Sequence, residues 1–225
     1  MQPAQHPART YLWTFAATAA VCALLILFVD APLARALKDG LPPPATEFFS
    51  RYGGAVGKPD AYYVVAAVII LIGQGAGYLP VAEATRLALR RARNAALFVA
   101  VSIAAGGLAV NIAKPVIGRM RPRALFEEGT YGLSPFSFDW GMNSFPSGHA
   151  QMAFSLGTAL ALIFPRIAVP VLALAAAIAA SRFLGTVHYL SDVLMGAWVG
   201  AAAPLLIKRY FCDPRGIALR LAPAR

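Results

Sequence analysis

The sequence contains few charged residues: they make up 13% of its 225 positions, whereas 59% are hydrophobic and the mean hydropathy is +0.62. So little charge excludes a water-soluble domain of this length. Six apolar runs are long enough to cross a bilayer, which takes about 20 residues as an α-helix. The six predicted spans are 11–29, 61–79, 95–113, 148–165, 167–187 and 192–210.

The Ala/Leu/Val runs show none of the alternation that the strands of a β-barrel need. Lipid offers no partner to an unpaired backbone amide, so the prediction is an all-α bundle of six transmembrane helices. Internal repeats are absent, and Pro42-Pro43-Pro44 is the only low-complexity stretch. The simplest organisation is one membrane-embedded domain over residues 1–225. A short amphipathic stretch, Ala45 to Tyr52, is expected to lie along the interface.

Cysteine and acidic residues are also scarce. Cys22 and Cys212 are the only cysteines, and their placement excludes both a disulfide framework and a CxxC metal site. Glu127, Glu128 and Asp139 are scattered along one loop, so no carboxylate cluster suits a divalent metal, and neither a metal nor a cofactor is expected.

The net charge of +10 is typical of an integral membrane protein that contacts anionic headgroups. No basic stripe alternates with stacking aromatics, which argues against a nucleic-acid partner. The expected partners are therefore the membrane and a lipid.

The distribution of Arg and Lys predicts the orientation. The loop from Pro80 to Asn94 carries four arginines, and the end of the last span with the tail after it carries five Lys or Arg residues; with six spans both segments lie on one side, which places both termini in the cytoplasm. The first run could be the core of a signal peptide, but it is long and the sequence after it is a poor cleavage site, so a retained anchor is favoured. Loops 114–147 and 188–192 then lie outside. The cations in the outer loop break the positive-inside rule, and a functional role for them would explain the exception. For Arg119 and Arg123, ordinary solvated loop charges are an equally good explanation.

Three short stretches at the ends of apolar runs hold most of the chemically versatile side chains. They are Lys114-x6-Arg121-Pro122, Pro146-Ser147-Gly148-His149 and Ser181-Arg182-x5-His188-x3-Asp192. His188 and Asp192 are four residues apart and would share a helix face. The carboxylate would fix the imidazole tautomer and leave the other ring nitrogen as nucleophile or base. The alternative is a helix-capping Asp beside a solvated His.

The first two stretches suit a phosphate. Pro122 should force Arg121 out of helical geometry and turn its guanidinium towards Lys114, and two adjacent cations need an anion between them. Gly148 opens a helix whose free N–H groups attract anions, and Ser147 adds a hydroxyl donor. His149 could protonate a leaving oxygen. The alternative is an N-cap Ser with a surface His.

Arg182 lies six residues before His188 and would face another way on a straight helix, unless Gly185 loosens the turn. An Arg near the end of an apolar span is costly unless it is paired with an anion. Its alternative is snorkelling to the headgroups.

In order and spacing, the three stretches resemble the signature of the type-2 phosphatidate phosphatase family, which shares its site with vanadium-dependent haloperoxidases. The resemblance covers roughly residues 60–210, and all three motifs match. It implies a six-helix membrane lipid phosphatase in which His188 attacks phosphorus to form a phosphohistidine, with Asp192 orienting it. His149 would serve the leaving group and then the hydrolytic water. The residues implied to hold the phosphate are Lys114, Arg121, Ser147, Gly148 and Arg182.

The sequence leaves the reaction and the substrate open. A phosphatase could act on undecaprenyl diphosphate, phosphatidate, phosphatidylglycerophosphate or lipid A, at the periplasmic face of a bacterial inner membrane. The same residues would serve a phosphotransferase that uses a polyprenyl diphosphate donor. A transporter or scaffold with an anion site but no turnover is the third possibility. Loop 123–145, rich in aromatics and glycine, is either a specificity element or an aromatic interfacial belt.

Overall fold

The computed structural model describes residues 7–212, and α-helices dominate this part of the chain. The helices are α1 (Pro7–Leu24), α2 (Asp30–Gly40), α3 (Pro43–Val56), α4 (Asp60–Gly75), α5 (Glu83–Ile117), α6 (Pro122–Glu127), α7 (Gly148–Ile163), α8 (Ala168–Leu184) and α9 (Leu190–Phe211). A π-helical turn, Leu25–Val29, joins α1 to α2, and 3₁₀ turns lie at Trp140–Met142 and Pro165–Ile167. The prediction of an all-α fold is confirmed for these residues.

Five helical stretches in the described part of the chain are long and apolar enough to cross a membrane. They are Ala8–Gly40, Pro43–Gly75, Glu83–Ile117, Pro165–Leu184 and Leu190–Phe211. The predicted fourth span is the helix α7, but it has only 16 residues. That is below the roughly 20 residues of a full crossing, so the count of six spans stays a prediction.

The predicted loop from Pro80 to Asn94 is wrong, because α5 begins at Glu83 and continues as one helix to Ile117. Ala, Leu and Arg dominate this stretch and are strong helix formers. Glu83 lies in the first turn, where the helix dipole favours a carboxylate, and it pairs with Arg86 at 2.8 Å. The arginines assigned to a loop therefore lie on the first turns of a helix. The tail cations after residue 212 fall outside the described residues.

Helices α7 and α9 pack closely, and this contact joins two of the sequence motifs. A Cβ atom at Gly196 would overlap the carbonyl oxygen of Ser147, and one at Gly200 would overlap that of Gln151. Glycine at both positions therefore allows the backbones to approach. The amide of Ser147 reaches the carbonyl oxygen of Asp192 at 2.9 Å.

Helix α3 covers the end of α8 that carries the third motif. The sequence predicted an amphipathic stretch along the interface over Ala45 to Tyr52, whereas the structure has a helix, Pro43–Val56, that packs on α8. Gly53 lies against Ser181, Gly54 lies against Arg182, and the carbonyl of Ser50 accepts a 2.8 Å hydrogen bond from Arg182 Nη1. The polar end of the bundle is thus enclosed by a helix that the motifs do not include.

Candidate active site

One cavity of about 590 Å³ brings side chains from all three motifs together. Six of the eight residues predicted for the site line it: Lys114, Arg121, Gly148, His149, Arg182 and His188. The other two, Ser147 and Asp192, are fully buried and do not line the cavity.

The end of α5 sets the first two cations. Gly118 caps the helix with φ +59, a left-handed conformation that suits glycine, and a Cβ there would overlap the carbonyl oxygen of Ser134. The chain reverses at this point, and Arg121 is extended before Pro122, as the proline predicts. Lys114 Nζ donates a 3.0 Å hydrogen bond to the carbonyl of Asn143, which leaves two of its three N–H groups for a ligand.

The second motif starts α7. Ser147 is its N-cap, and Ser147 Oγ accepts a 3.4 Å hydrogen bond from the amide of Ala150. Ser147 is therefore a helix N-cap, as the alternative interpretation of this motif predicted. Gly148 at the first helical position and His149 beside it line the cavity, and His149 lies against Gly57, just beyond α3.

A reversal after α8 brings Arg182 and His188 to the same cavity. Gly185 ends the helix, and the carbonyl of Arg182 accepts hydrogen bonds from the amides of Val187 (3.0 Å) and His188 (3.1 Å). The two side chains thus converge although their spacing on a straight helix would separate them. Both are buried, and Arg182 Nε has no hydrogen-bond partner among the described residues.

His188 faces Asp192, with 3.4 Å between Nδ1 and the Oδ2 atom. This is close enough for an ion pair but falls short of hydrogen-bond geometry, and Nδ1 has no other partner in residues 7–212. Burial lowers the pKa of His188 to about 4; Asp192 opposes this shift, while Arg121 and Lys114 add to it. At neutral pH the ring is therefore uncharged, and Nε2 is the nitrogen available on the cavity side.

The cations of this cavity lack counter-charges. Among the described residues, no carboxylate lies within ion-pair distance of Lys114, Arg121 or Arg182, although other basic residues of the chain have such partners. Arg182 is buried and Lys114 and Arg121 are half-buried, and holding three such cations without partners is costly, so the cavity favours an anion that can accept several N–H bonds. No group of three His, Cys, Asp or Glu residues in the described chain is placed to hold a metal ion.

The structure decides the role of Arg119, which the sequence left open between a functional and a solvated loop charge. Its guanidinium is only 1% exposed and contacts two carboxylates, Asp192 and Asp30. It also lies over the ring of Tyr189, with 4.2 Å to the centroid. Burial lowers the pKa of Arg119, but the two carboxylates outweigh burial and hold it above its ordinary value. A solvated loop charge is therefore excluded for Arg119.

Arg123, in contrast, is exposed and pairs with Glu127 at 2.8 Å. The signal for the buried network was Asp30, a carboxylate that directly follows the first predicted span and lies inside the apolar helical stretch Ala8–Gly40, since carboxylates at such positions are rarely left without a role.

Loop 123–145 contributes to the site through two aromatic residues. Trp140 lines the cavity and is otherwise exposed, and Tyr131 OH accepts a 2.9 Å hydrogen bond from Arg119. Phe136 and Phe138 are exposed. Sequence reasoning also missed the opposite wall, where Gly57, Lys58 and Tyr63 line the cavity. Nothing in their local pattern marks them as site residues.

The fold and the site together define an integral membrane protein with a cation-lined cavity that holds two imidazoles. Residues 95–214 match the sequence profile of the PAP2 superfamily, and the chain belongs to this family. It is a membrane lipid phosphatase of the PAP2 type, as the resemblance of its three motifs indicated.

Two curated relatives are similar along most of the chain. The lipid A 1-phosphatase of Rhizobium etli is 30% identical over 209 residues, covering 89% of this chain and 84% of the relative. The lipid A 1-phosphatase of Rhizobium johnstonii is 31% identical over 225 residues, covering 96% of this chain and 86% of the relative.

Two solved structures share the fold. LpxE of Aquifex aeolicus has a TM-score of 0.57 at 21% identity, covering 81% of this chain and 96% of that one. A transmembrane PAP2-type phosphatidylglycerolphosphate phosphatase from Bacillus subtilis has a TM-score of 0.59 at 19% identity, covering 89% of this chain and 94% of that one. At these identities the similarity shows the fold alone.

Proposed function

We propose that this protein removes a phosphate group from a glycolipid of the lipid A type, at the periplasmic face of the inner membrane. The observation that carries the proposal is the set of three cations without counter-carboxylates, facing two imidazoles across one cavity. The names of the two curated relatives support lipid A 1-phosphate over the other lipids that the sequence left open.

The shape of the cavity suits a phosphate joined to an apolar group. Beside the cations and imidazoles, apolar side chains line part of the cavity, among them Ile103, Ala104, Leu108 and Met152. Leu108 is exposed on the outside of α5 and would face lipid tails. A membrane lipid could therefore place its phosphate among the cations without leaving the bilayer.

In the first chemical step, the lone pair of His188 Nε2 attacks phosphorus, and the bond from phosphorus to the lipid oxygen breaks. His149, in its imidazolium form when the phosphate is bound, gives its proton to that leaving oxygen and becomes neutral. Lys114, Arg121 and Arg182 neutralise the phosphoryl oxygens, assisted by the Gly148 amide, while Ser147 caps the helix that carries this amide. Asp192 orients the ring of His188 from the Nδ1 side.

In the second step, His149 takes a proton from water, and the resulting hydroxide attacks phosphorus. The bond from phosphorus to His188 breaks, which releases inorganic phosphate and restores the imidazole. Three cations supply the charge neutralisation that a divalent metal provides in other phosphatases, and they would repel such a metal. The reaction is therefore proposed to be independent of metals.

The proposed topology has six spans with both termini in the cytoplasm. The basic turns of α5 then contact the cytoplasmic headgroups, in line with the positive-inside rule. The opposite end of α5, which carries Lys114, opens to the periplasm. In this arrangement α7 is the shortest span and begins beside the cavity.

The test measures phosphate release by the purified protein in detergent micelles from four lipids: lipid A, phosphatidate, phosphatidylglycerophosphate and undecaprenyl diphosphate. We expect release from lipid A in the presence of EDTA, and none from the His188→Ala variant. Arg123→Ala is the matched control, because this exposed residue does not line the cavity. No release by the wild-type protein from any lipid would contradict the proposal, and release only with an added acceptor lipid would indicate a transferase.

A further inference from the structure

A carboxylate from the first membrane helix is built into the polar end of the bundle. Asp30 begins α2, well before the residues that match the family profile, and only 1% of it is exposed. Asp30 Oδ1 accepts a 3.2 Å hydrogen bond from the amide of Ser191, and Asp30 Oδ2 accepts one from the Ser191 hydroxyl. The Asp30 carboxylate is thus hydrogen-bonded to Ser191, the residue directly before Asp192.

Asp30 and Asp192 share a single cation. Nη1 of Arg119 donates to Oδ1 of Asp192, and Nη2 donates to Oδ2 of Asp30 at 2.9 Å. All three side chains are buried, so solvent screens their charges little. Two carboxylates and one guanidinium give this buried group a net charge of −1.

The other oxygen of Asp192 faces the site. Oδ2 accepts hydrogen bonds from the hydroxyl of Ser144 (2.6 Å) and the amide of Tyr189 (2.9 Å), and it lies 3.4 Å from His188 Nδ1. If Arg119 had no second carboxylate, its charge would cancel that of Asp192, and His188 would face a neutral ion pair.

We propose that Asp30 is a positioning residue for phosphate transfer: it balances the charge of Arg119, so that the charge of Asp192 remains available to His188. This inference rests on the proposed function, because it needs His188 as the nucleophile. When Nε2 bonds to phosphorus while Nδ1 keeps its proton, the ring becomes cationic. A buried group of net charge −1 on the Nδ1 side stabilises that cation.

The test compares Asp30→Asn with the wild-type protein on lipid A in detergent micelles. Asn has the shape of Asp and keeps an oxygen for the Ser191 amide, but it removes the charge. Because Asp30 does not line the cavity, we expect KM to stay unchanged. We expect kcat to fall about 3- to 30-fold, since Asp30 acts on His188 only through Arg119 and Asp192. Asp39→Asn, an exposed position of the same helix, is the matched control.

The pH profile distinguishes a charge effect from a loss of folded protein. Removing a negative charge destabilises the His188 imidazolium, so the acid limb of kcat/KM should move to lower pH in Asp30→Asn. The other charged or titratable groups that line the cavity with His188 or face its ring are the same in both proteins: Lys58, Tyr63, Lys114, Arg121, His149, Arg182 and Asp192. A purely structural role of Asp30 would lower kcat/KM at every pH and leave the midpoint of its acid limb unchanged.

A double variant, Asp30→Asn with Arg119→Gln, returns the buried group to a net charge of −1. Its acid limb should lie at the wild-type pH or above it, whether or not the single variant folds. A limb displaced to lower pH in the double variant would overturn the inference. So would an Asp30→Asn protein with wild-type kcat. A wild-type protein that releases no phosphate would instead refute the proposed function.

Discussion

The backbone amide of Ser147 donates a 2.9 Å hydrogen bond to the carbonyl oxygen of Asp192. The bond ties the start of α7 to the start of α9, and therefore the second motif to the third. It requires the two helices to approach closely, which the small residues of α9 allow. The site geometry thus depends on a helix contact as well as on the functional side chains.

Enlarging the contact should separate the two motifs. In Gly196→Ala, the new methyl group meets the Ser147 carbonyl oxygen, which is backbone and cannot rotate away. We expect a loss of about 1–3 kcal/mol in the free energy of unfolding, as for other overpacked interiors, together with reduced activity. Thermal unfolding in detergent measures the loss. Gly75→Ala is the control, since nothing lies within 4 Å of a Cβ there; equal melting temperatures for the two variants would contradict the predicted contact.

His188 should titrate far below an ordinary histidine. Burial lowers its pKa to about 4, so the ring is neutral at pH 7 and gains a proton only in acid. With ¹³C-labelled histidine, the NMR signal that is missing from His188→Ala should shift with a midpoint near pH 4. The chain has only two other histidines, His6 and His149, which simplifies the assignment. A midpoint near 6.5 would mean that water reaches the ring freely.

The guanidinium of Arg121 should contribute more than its charge. It lines the cavity, and no described side chain accepts a hydrogen bond from it, so its planar fork is available to two phosphate oxygens. Arg121→Lys keeps the charge but loses the fork. A hydrogen bond to a charged group contributes about 1.5–3 kcal/mol, which predicts a fall of about 10- to 100-fold in kcat/KM.

Arg123→Lys, two residues away and exposed, is the matched control for Arg121→Lys and should keep wild-type kinetics. If both lysine variants behave like the wild type, Arg121 acts at most as a point charge.

The sequence predicted the parts of this molecule that depend on local chemistry. Apolar run length predicted the helical membrane class, and Pro122 predicted the extended backbone at Arg121. The buried ion network was not predictable in the same way, since Asp30 and Arg119 come from distant parts of the chain and their meeting depends on how the helices pack. Their common signal was a charge where lipid or the charge rule disfavours one. The docking of α3 on α8 gave no such signal in the sequence, because its contacts are made by glycines and by the backbone carbonyl of Ser50.

The wall formed at the end of α3 should control the position of His149. Gly57 is buried and lies against the imidazole, and a Cβ atom there would contact His149 Cδ2 and Cβ too closely. Gly57→Ala should therefore push the ring away from the leaving oxygen, whereas the three cations stay in place. Because proton transfer by a positioned side chain contributes about 100- to 10,000-fold, even partial misplacement should lower kcat at least tenfold, with KM little changed.

A substrate with a better leaving group offers a sharper test of the contact between Gly57 and His149. In the first turnover, measured by rapid mixing, p-nitrophenyl phosphate should lose much less rate than lipid A in Gly57→Ala, because its leaving oxygen needs no proton from His149. Gly40→Ala is the control, since that glycine has open space around it. An equal loss in the first turnover on both substrates would show that Gly57 supports the fold of the cavity and not the placement of His149.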